Sequence, residues 1–500
     1  MTLSPVLNIL GLLTTILGAA MLIPMCFDLY FGSPDWQVFA LSSLLTAFVG
    51  VSVWLATSQR EGFDLGLRQA FLLTNGSWIS IGLFGALPFM FSELQLSLTD
   101  AIFESVSGIT TTGSTVLQQI ELASPGILIW RALLQWLGGV GIIVMAMAVL
   151  PMLSVGGMQL FRTESYDSAD KVVPRAAQLA GGIGIVYASL TAFWAIMLSI
   201  AGMSNFDAIA HAMTTIATGG YSTRTASIAA FDSVAIEWIV ITGMIVGSLP
   251  FAHYLAIVRG GWGPLLRDPQ VRWFMTLLVA VVLILIWQLG SSGMPVGVAI
   301  RQASFNAVSI MTGTGYASAN FSAWGGFAST LLLIVMFVGG CGGSTTCGIK
   351  MFRLQVLATT ARVQIGRLLS PHAVILAYYN RRPVSNEVMD SVMGFFYLYI
   401  ICFVILAIGL GALGLDFITA LSGAATSISN VGPGLGNLIG AEGNFATLPD
   451  MAKWIMAFGM LLGRLELFTV LVMFGSSVCG FQKRVNTSEN HSEPEILMQQ

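Results

Sequence analysis

The sequence predicts an all-α polytopic membrane protein built from two leading transmembrane helices and four helix–pore helix–helix repeats. Three observations predict this fold class. First, 55% of the 500 residues are hydrophobic, only 9% are charged and the mean hydropathy is +0.82, which is typical of a chain that packs against lipid. Second, a polar Gly-rich stretch recurs four times between apolar segments. Third, the segment before each stretch is shorter than the roughly 20 residues that cross a bilayer.

The four polar stretches, called filter stretches 1 to 4, are residues 110–115, 217–222, 310–318 and 429–434. Their central glycines are taken as Gly113, Gly219, Gly315 and Gly432, which stand 106, 96 and 117 residues apart and indicate an internal repeat. Because glycine has no Cβ, a run of Gly and Thr can turn backbone carbonyl oxygens toward one axis and replace the water shell of a cation. The residues predicted to form this ion filter are Thr111, Thr112, Gly113, Thr218, Gly219, Thr314, Gly315, Asn430, Val431 and Gly432.

The two leading helices are predicted near 6–30 and 36–57, and they contain no filter-like stretch. The spans of the four repeats are predicted in pairs near 69–91 and 126–150, 178–201 and 231–258, 272–289 and 327–339, and 392–413 and 452–475. The chain is thereby divided into leading helices (1–60), four repeats (61–160, 161–262, 263–370 and 371–482) and a polar tail (483–500) that we expect to be disordered.

The segments that precede the filter stretches, 98–111, 205–217, 296–312 and 416–429, are predicted to be re-entrant pore helices. Each must enter and leave the membrane on the same side, which is tolerated only where the backbone is enclosed by protein or lines a water-filled path.

Charge placement predicts the orientation. Fifteen of the 21 Lys and Arg residues fall in connectors or in the tail, away from the filter stretches. By the positive-inside rule these connectors are cytoplasmic and the filters open outward. The fifteen residues are Arg60, Arg68, Arg162, Lys171, Arg175, Arg259, Arg267, Arg272, Arg353, Arg362, Arg367, Arg381, Arg382, Lys483 and Arg484. The net charge of −3 gives no electrostatic case for binding nucleic acid.

With four such units in one chain, residues 69–475 resemble the Trk/Ktr/HKT superfamily of potassium transporters. The two leading helices make the chain most similar to the TrkH family, the membrane subunits of bacterial Trk potassium uptake systems. The resemblance implies that the filter stretches meet on a pseudo-fourfold axis with the four central glycines at equivalent positions. It also implies an inner-membrane homodimer in which each subunit has its own pore, and a cytosolic ring of nucleotide-binding RCK-type regulatory subunits, TrkA.

The same resemblance implies that K⁺ is the transported ion, with Rb⁺, Cs⁺ and Na⁺ as other candidate permeant ions, and that the chain holds no organic cofactor. In this superfamily a Ser at the first central filter position is associated with Na⁺ permeation, so Gly113 favours K⁺. Only filter stretch 3 contains Thr-Gly-Tyr, and stretch 4 has Asn430-Val431-Gly432-Pro433 instead. We therefore expect looser selectivity for K⁺ over Na⁺ than in a potassium channel.

A Gly-rich segment, residues 339–348, falls inside the predicted inner helix of the third repeat. Each glycine costs about 1 kcal/mol in a helix relative to Ala, so the helix should break there. A phosphate-binding loop is the disfavoured rival, because Gly348-Ile349-Lys350 stands where Gly-Lys-Ser/Thr is required. The hypothesis is an intramembrane gate, as the resemblance also implies; a passive kink is the alternative. The predicted gate residues in this segment are Gly340, Gly342, Gly343, Ser344, Thr345, Thr346 and Gly348.

Arg464 lies inside the last predicted span, where a charge costs on the order of 2.5–3.5 kcal/mol and normally faces an interior or a water path. One interpretation is a positive charge below the fourth filter stretch that slows cations by repulsion, which the resemblance also implies. The alternative is a structural ion pair with Glu466 or with an acid of a pore helix.

Five polar residues lie in or beside the predicted pore helices: Glu104, Asp207, His211, Asn306 and Asp416. Acids there can concentrate cations at the outer mouth or anchor the re-entrant loop by hydrogen bonds, and His211 fits a structural histidine. The sequence contains no GxSxG or HExxH motif and no His cluster, so an enzyme is not predicted.

The sequence therefore predicts potassium uptake across a bacterial inner membrane, with no substrate chemically changed. Passive conduction and coupling to H⁺ or Na⁺ both remain open. A secondary transporter with a mid-membrane site would need inverted repeats, and a scaffold subunit would tolerate bulky residues in its filters. The basic connector 350–382 is predicted either to dock a regulatory partner or to form a solvated face beside the lipid.

Overall fold

A computed structural model describes residues 3–58, 66–148, 172–373, 375–380, 382–467 and 469–471. Within these residues the chain is mainly α-helical, and the only paired strands described form one short hairpin, β1 (Tyr378–Tyr379) with β2 (Arg382–Pro383). The predicted polar tail, the division at 160/161 and the basic residues Arg60, Arg162, Lys171, Arg381, Lys483 and Arg484 lie outside the described residues.

The leading part of the chain forms an antiparallel helix pair. Helices α1 (Ser4–Ala20) and α2 (Leu22–Phe31) run as one span, and α3 (Trp36–Ala56) returns beside them. The pair packs closely because a Cβ on Gly11 or on Gly50 would collide with backbone of the facing helix. Both predicted leading helices are therefore present.

The first two repeats follow the predicted order. Repeat 1 contains α4 (Leu67–Gly85) with its extension α5 (Leu87–Phe91), pore helix α6 (Leu98–Ile109) and inner helix α7 (Pro125–Ala148). Repeat 2 contains α8 (Val172–Ile200), pore helix α9 (Asn205–Ile216), and inner helices α10 (Val234–Gly247) and α11 (Phe251–Val258).

Repeats 3 and 4 have inner helices of 10 and 15 residues. Repeat 3 contains α12 (Gly263–Arg267), α13 (Pro269–Ser291), pore helix α14 (Val296–Met311), inner helix α15 (Gly326–Val335) and, after the Gly-rich segment, α16 (Met351–Leu369). Repeat 4 contains α17 (Asn386–Ala412), pore helix α18 (Phe417–Ser429), the single turn α19 (Gly436–Ile439) and inner helix α20 (Asp450–Arg464). Between filter and inner helix every repeat has a 3₁₀ turn: Ile120–Leu122, Ser227–Phe231, Phe321–Trp324 and Phe445–Thr447.

Three of the four pore helices begin at side chains that cap them. Ser97, Ser204 and Asp416 each accept a hydrogen bond from a backbone N–H in the first turn of α6, α9 and α18. Such caps satisfy donors that a helix start otherwise leaves unpaired. The four pore helices are 12, 12, 16 and 13 residues long, too short to cross a membrane, as the sequence predicts.

The sequence predicts ten spans, but seven described helices are long and apolar enough to cross a membrane, or eight if one bent pair counts as a span. The bent pair corrects the prediction of a continuous span over 231–258, because α10 and α11 differ by 96° in direction. Pro250 lies in this break and has no N–H with which to continue the helix. The inner helix of repeat 3 ends at Val335 before the Gly-rich segment, as predicted.

The last inner helix also ends earlier than predicted. Helix α20 stops at Arg464, and both Glu466 and Leu467 have positive φ angles, a conformation that side chains with a Cβ rarely adopt. Arg464 is consequently at the end of a helix rather than in the middle of a span. The predicted end of that span, 472–475, lies outside the described residues.

Candidate ion filter and gate loop

The four filter stretches form a closed ring. A Cβ added to the central glycine of any stretch would lie less than 3.0 Å from a carbonyl oxygen of the next stretch. The facing pairs are Gly113 with Gly219, Gly220 with Thr314, Gly315 with Val431, and Gly432 with Thr112. Because the last pair returns to stretch 1, the stretches surround one axis in the order 1, 2, 3, 4.

The ring corrects the predicted register of stretch 2. The glycines with positive φ that face the next stretch are Gly113, Gly220, Gly315 and Gly432, so the equivalent of Gly113 is Gly220 rather than Gly219. Two residues earlier each stretch has another left-handed residue: Thr111, Thr218, Gly313 and Asn430. The sequence prediction was wrong by one residue because stretch 2 contains two adjacent glycines, and composition cannot tell which of them has the positive φ.

Each stretch is attached to the end of its own pore helix by an equivalent backbone hydrogen bond. The donors are the amides of Thr112, Gly219, Thr314 and Val431, and the acceptors are the carbonyls of Ser107, Thr214, Ser309 and Thr426, at 2.8–3.1 Å. The bonded amides belong to the residues whose carbonyls face the neighbouring central glycine. The carbonyl ring is thus set by four short helices that end around it.

Two tyrosines pack behind the ring. Tyr221 of stretch 2 donates a hydrogen bond of 2.8 Å to the carbonyl of Glu104 in pore helix α6, and Tyr316 of stretch 3 lies 2.5 Å from the hydroxyl of Thr214 in pore helix α9. Each tyrosine thereby joins its stretch to the pore helix of the preceding repeat. Stretches 1 and 4 have Ser114 and Pro433 at this position, so the support is not fourfold symmetric.

A cavity opens at one end of the ring, lined by residues of all four stretches, including Gly113, Gly220, Gly315 and Pro433. Its wall also contains Arg131 and Arg224. Three of the central glycines, Gly113, Gly220 and Gly315, therefore lie at this end of the ring.

The Gly-rich loop, residues 339–348, lies at the other end of the ring. The Thr345 hydroxyl is 3.0 Å from the Thr218 hydroxyl and donates to the carbonyl of Gly247 at 2.9 Å. The Cys347 sulfur lies 3.9 Å from the carbonyl oxygen of Thr110, and the Thr346 methyl is 3.8 Å from a Cβ added to Gly313. The loop therefore touches the inner ends of stretches 1, 2 and 3.

The loop is docked into the break between α10 and α11. The amide of Cys341 donates to the carbonyl of Ser248 at 3.1 Å, and the amide of Phe251 donates to the carbonyl of Gly343 at 3.0 Å. The bend that the sequence did not predict supplies the backbone groups that hold the loop, and Pro250 is the signal that could have indicated it.

Arg464 reaches this loop from repeat 4. Its guanidinium donates to the Thr345 carbonyl at 3.0 Å and to the Gly138 carbonyl at 2.7 Å, and it lies 2.6 Å from the Cys347 sulfur. The proposed alternative partner, Glu466, is ion-paired with Arg353 instead. The Nε of Arg464 has no hydrogen-bond partner in the described structure.

The polar residues of the pore helices mostly hold the filter. Glu104 accepts hydrogen bonds from Thr115, from the amide of Val116 and from Arg131. Asp207 accepts from Thr223 at 2.6 Å and from Arg224 at 2.8 Å.

Two of the remaining three residues also contact the filter stretches. His211 lies 2.9 Å from the hydroxyl of Ser222, and Asn306 exchanges hydrogen bonds with Ser318. Asp416 only caps its helix. Among the described residues no group of three His, Cys, Asp or Glu side chains is placed to hold a metal ion.

Sequence reasoning did not identify Gln135. Its side chain contacts filter stretch 2 from inner helix α7 of repeat 1. A lone Gln in an apolar span carried no distinguishing pattern, although a buried amide there demands partners.

Comparison with known proteins gives one family. The model of the TrkH family, described as a cation transport protein, matches residues 36–478. The chain is 45% identical over 472 residues to the Trk system potassium uptake protein TrkI of Halomonas elongata, covering 94% of this chain and 96% of that one. It is 36% identical over 480 residues to TrkH of Escherichia coli K12, covering 93% and 97%. The fold is similar to the crystal structure of the potassium transporter TrkH from Vibrio parahaemolyticus, with a TM-score of 0.87, 35% identity and coverage of 95% and 98%.

Proposed function

Because the chain belongs to the TrkH family of cation transport proteins, we propose that it takes up potassium across the bacterial inner membrane through the ring of filter stretches. Its relatives named above are potassium uptake proteins, so this is a transporter family and not a family of enzymes. The observation that carries the proposal is the closed cyclic contact of four central glycines with four carbonyl oxygens.

The filter carbonyls select the ion. In this proposal K⁺ is coordinated by backbone oxygens of Thr112, Gly219, Thr314 and Val431 and of the left-handed residues before them, which replace its water shell. The central glycines Gly113, Gly220, Gly315 and Gly432 are needed because any larger residue would occupy the position of a neighbouring carbonyl. Rb⁺ and Cs⁺ are close to K⁺ in size and serve as tracers.

The Gly-rich loop is the proposed gate. It bridges the inner ends of three stretches and is fixed to repeat 4 by Arg464, so an ion leaving the ring meets backbone and a guanidinium. Opening requires the loop to leave the break between α10 and α11, where backbone hydrogen bonds hold it. Arg464 contributes both a repulsive charge and a tie that keeps the loop across the path.

Inward movement can be driven by the membrane potential, which supplies about 2.3 kcal/mol per charge per 100 mV. The buried carboxylate of Glu104 is paired with Arg131, and that of Asp207 is paired with Arg224. Both carboxylates are engaged by arginines, and we therefore propose passive conduction over H⁺ coupling.

A homodimer and a cytosolic nucleotide-binding ring, TrkA, are proposed as partners. Lys350 and Arg353 are buried, so the connector 350–382 exposes less basic surface for docking than the sequence predicted. The exposed part of α16 retains Arg362, Arg367, Leu368 and Leu369. We assign the docking surface to this distal half of α16 and the hairpin that follows it.

The test is rubidium uptake into liposomes that contain the purified protein, with K⁺ and Na⁺ as competitors. Wild-type protein is compared with Gly315→Ser, and with Gly293→Ser as a matched control, since Gly293 has a similar positive φ but nothing within 4 Å of an added Cβ. The expected result is uptake inhibited by K⁺ more than by Na⁺, altered by Gly315→Ser and unaffected by the control. Equal inhibition by both ions would contradict the proposal.

A further inference from the structure

Gln135, on inner helix α7, clamps the backbone of filter stretch 2. Its Nε2 donates a hydrogen bond of 2.5 Å to the carbonyl of Gly219, and its Oε1 accepts one of 3.0 Å from the amide of Tyr221. The side chain is fully buried, so both bonds form in a region of low dielectric, where hydrogen bonds are stronger than in water. One amide group therefore fixes the positions of two residues on either side of Gly220.

Arg131 lies one helical turn earlier on the same face of α7 and holds the next residue of the stretch. It donates to the carbonyl of Ser222 at 2.9 Å and lies over the ring of Tyr221 at 4.0 Å. Its charge is balanced by Glu104, whose carboxylate it contacts at 2.8 Å. Gln135 and Arg131 thus form a continuous polar clamp, called here the α7 clamp, behind residues 219–222.

Two other inner helices have no such clamp. In repeats 1, 2 and 4 a glycine brings the inner helix against the end of its pore helix: Gly138, Gly247 and Gly463 would each place a Cβ within 3.0 Å of the carbonyl of Ile109, Ile216 or Ile428. Three residues before these glycines the chain has Gln135, Met244 and Met460. Seven residues before, it has Arg131, Val240 and Met456. The polar clamp is a property of repeat 1 alone among these three.

The clamp acts on a carbonyl of the ring itself. The oxygen of Gly219 is the one that faces Gly113, at the level where Thr112, Thr314 and Val431 supply the other three oxygens. The two hydrogen bonds of Gln135 tie Gly219 and Tyr221 to helix α7, so stretch 2 can move toward the axis only by breaking them. A smaller ion needs shorter distances to its ligands than K⁺ does, so a stretch that cannot move inward coordinates Na⁺ poorly.

We propose that Gln135 is a specificity-determining positioning residue, which, with Arg131 beside it, holds stretch 2 at the spacing that K⁺ requires and so disfavours Na⁺. This inference rests on the proposed function, because it assumes that ions pass through the ring. It adds that selectivity depends on one polar side chain outside the filter sequence.

The test measures how strongly K⁺ and Na⁺ inhibit rubidium uptake in liposomes that contain each of two variants. Gln135→Met introduces the residue found at this position in repeats 2 and 4. Gln135→Glu keeps the acceptor for Tyr221 but loses the donor to Gly219. Met244→Leu is the matched control at the equivalent position of repeat 2. We expect the ratio of the Na⁺ to the K⁺ half-inhibitory concentration to fall by at least about threefold in both Gln135 variants. This ratio depends on the relative binding of the two ions and not on the amount of protein. The control should keep the wild-type ratio.

A third variant reaches the same contact from the filter. A Cβ on Gly219 would collide with the amide of Gln135, so Gly219→Ala should lower the ratio as well. This variant still tests the inference if neither Gln135 variant folds. Wild-type ratios in a folded Gln135 or Gly219 variant would overturn the inference while leaving the proposed function intact. Failure of the wild-type protein to prefer K⁺ would instead contradict the proposed function.

Discussion

Arg464 and Thr345 are joined by a hydrogen bond of 3.0 Å from the guanidinium to a backbone carbonyl. The bond connects the last helix of repeat 4 to a loop that belongs to repeat 3. Since the same guanidinium also binds the carbonyl of Gly138 in repeat 1, three repeats meet at one side chain beneath the filter.

The first prediction concerns this guanidinium. Arg464→Ala removes both the charge and the tie, and we expect rubidium uptake in liposomes to rise by roughly tenfold, equivalent to about 1.4 kcal/mol in the barrier. Arg464→Lys separates the two effects, because it retains the charge without the forked hydrogen bonds. Arg259→Ala, which removes an exposed arginine just after α11, is the control. Unchanged uptake in Arg464→Ala would remove this residue from the gate.

The second prediction concerns the loop itself. Thr345→Val keeps the shape of the side chain but loses the hydroxyl that contacts Thr218 and Gly247, and each lost hydrogen bond costs about 1 kcal/mol. We expect the loop to leave the pore more often, so that uptake increases severalfold, while Thr345→Ser stays near wild type. Thr330→Val, which removes an exposed hydroxyl in α15, should have no effect. Lower uptake in Thr345→Val would contradict a closing role.

The third prediction tests the corrected register. Gly220→Ala should abolish uptake, because Gly220 has φ of 77° and an added Cβ would collide with the Thr314 carbonyl. Gly202→Ala introduces the same residue at a positive φ of 106° with nothing within 4 Å. The control therefore measures only the cost of placing Ala at a positive φ. Full uptake by Gly220→Ala would show that stretch 2 does not line the proposed ion path.

The fourth prediction concerns stability. Glu104→Gln leaves Arg131 buried without its counterion, and breaking such a buried pair costs about 3–5 kcal/mol. Both side chains are at most 1% exposed, so water cannot compensate. We expect a clear fall in the thermal unfolding temperature in detergent, measured beside Glu93→Gln, which changes an exposed carboxylate. Equal unfolding temperatures would show that the pair contributes little.

The sequence was sufficient for the fold class and for most of the helices. Long apolar runs and four short amphipathic segments predicted the leading pair and the four pore helices to within a few residues. These features depend on local composition, which a single sequence displays directly. The family resemblance, carried by the repeated Gly-centred stretches, is confirmed by the comparisons.

Features that depend on contacts between distant residues could not be predicted. The bend between α10 and α11 forms where the Gly-rich loop binds the carbonyl of Ser248, which is 93 residues before Cys341. The choice between Gly219 and Gly220 depends on which residue faces stretch 3. Glu466 pairs with Arg353 and not with Arg464, although Arg464 is nearer in the sequence. Proximity in the sequence therefore did not predict this ion pair.

The cyclic order of the filter stretches has a consequence for how such a pore can evolve. A tetramer of identical subunits changes all four quadrants of its pore with every mutation. In the proposed pore one chain supplies four different quadrants, so a single substitution alters one quarter of the ring and leaves three quarters as they were. Ion preference can therefore change through single substitutions in one quadrant. The hydrogen bonds of Gln135 and Arg131 to stretch 2 are a difference between quadrants of this kind.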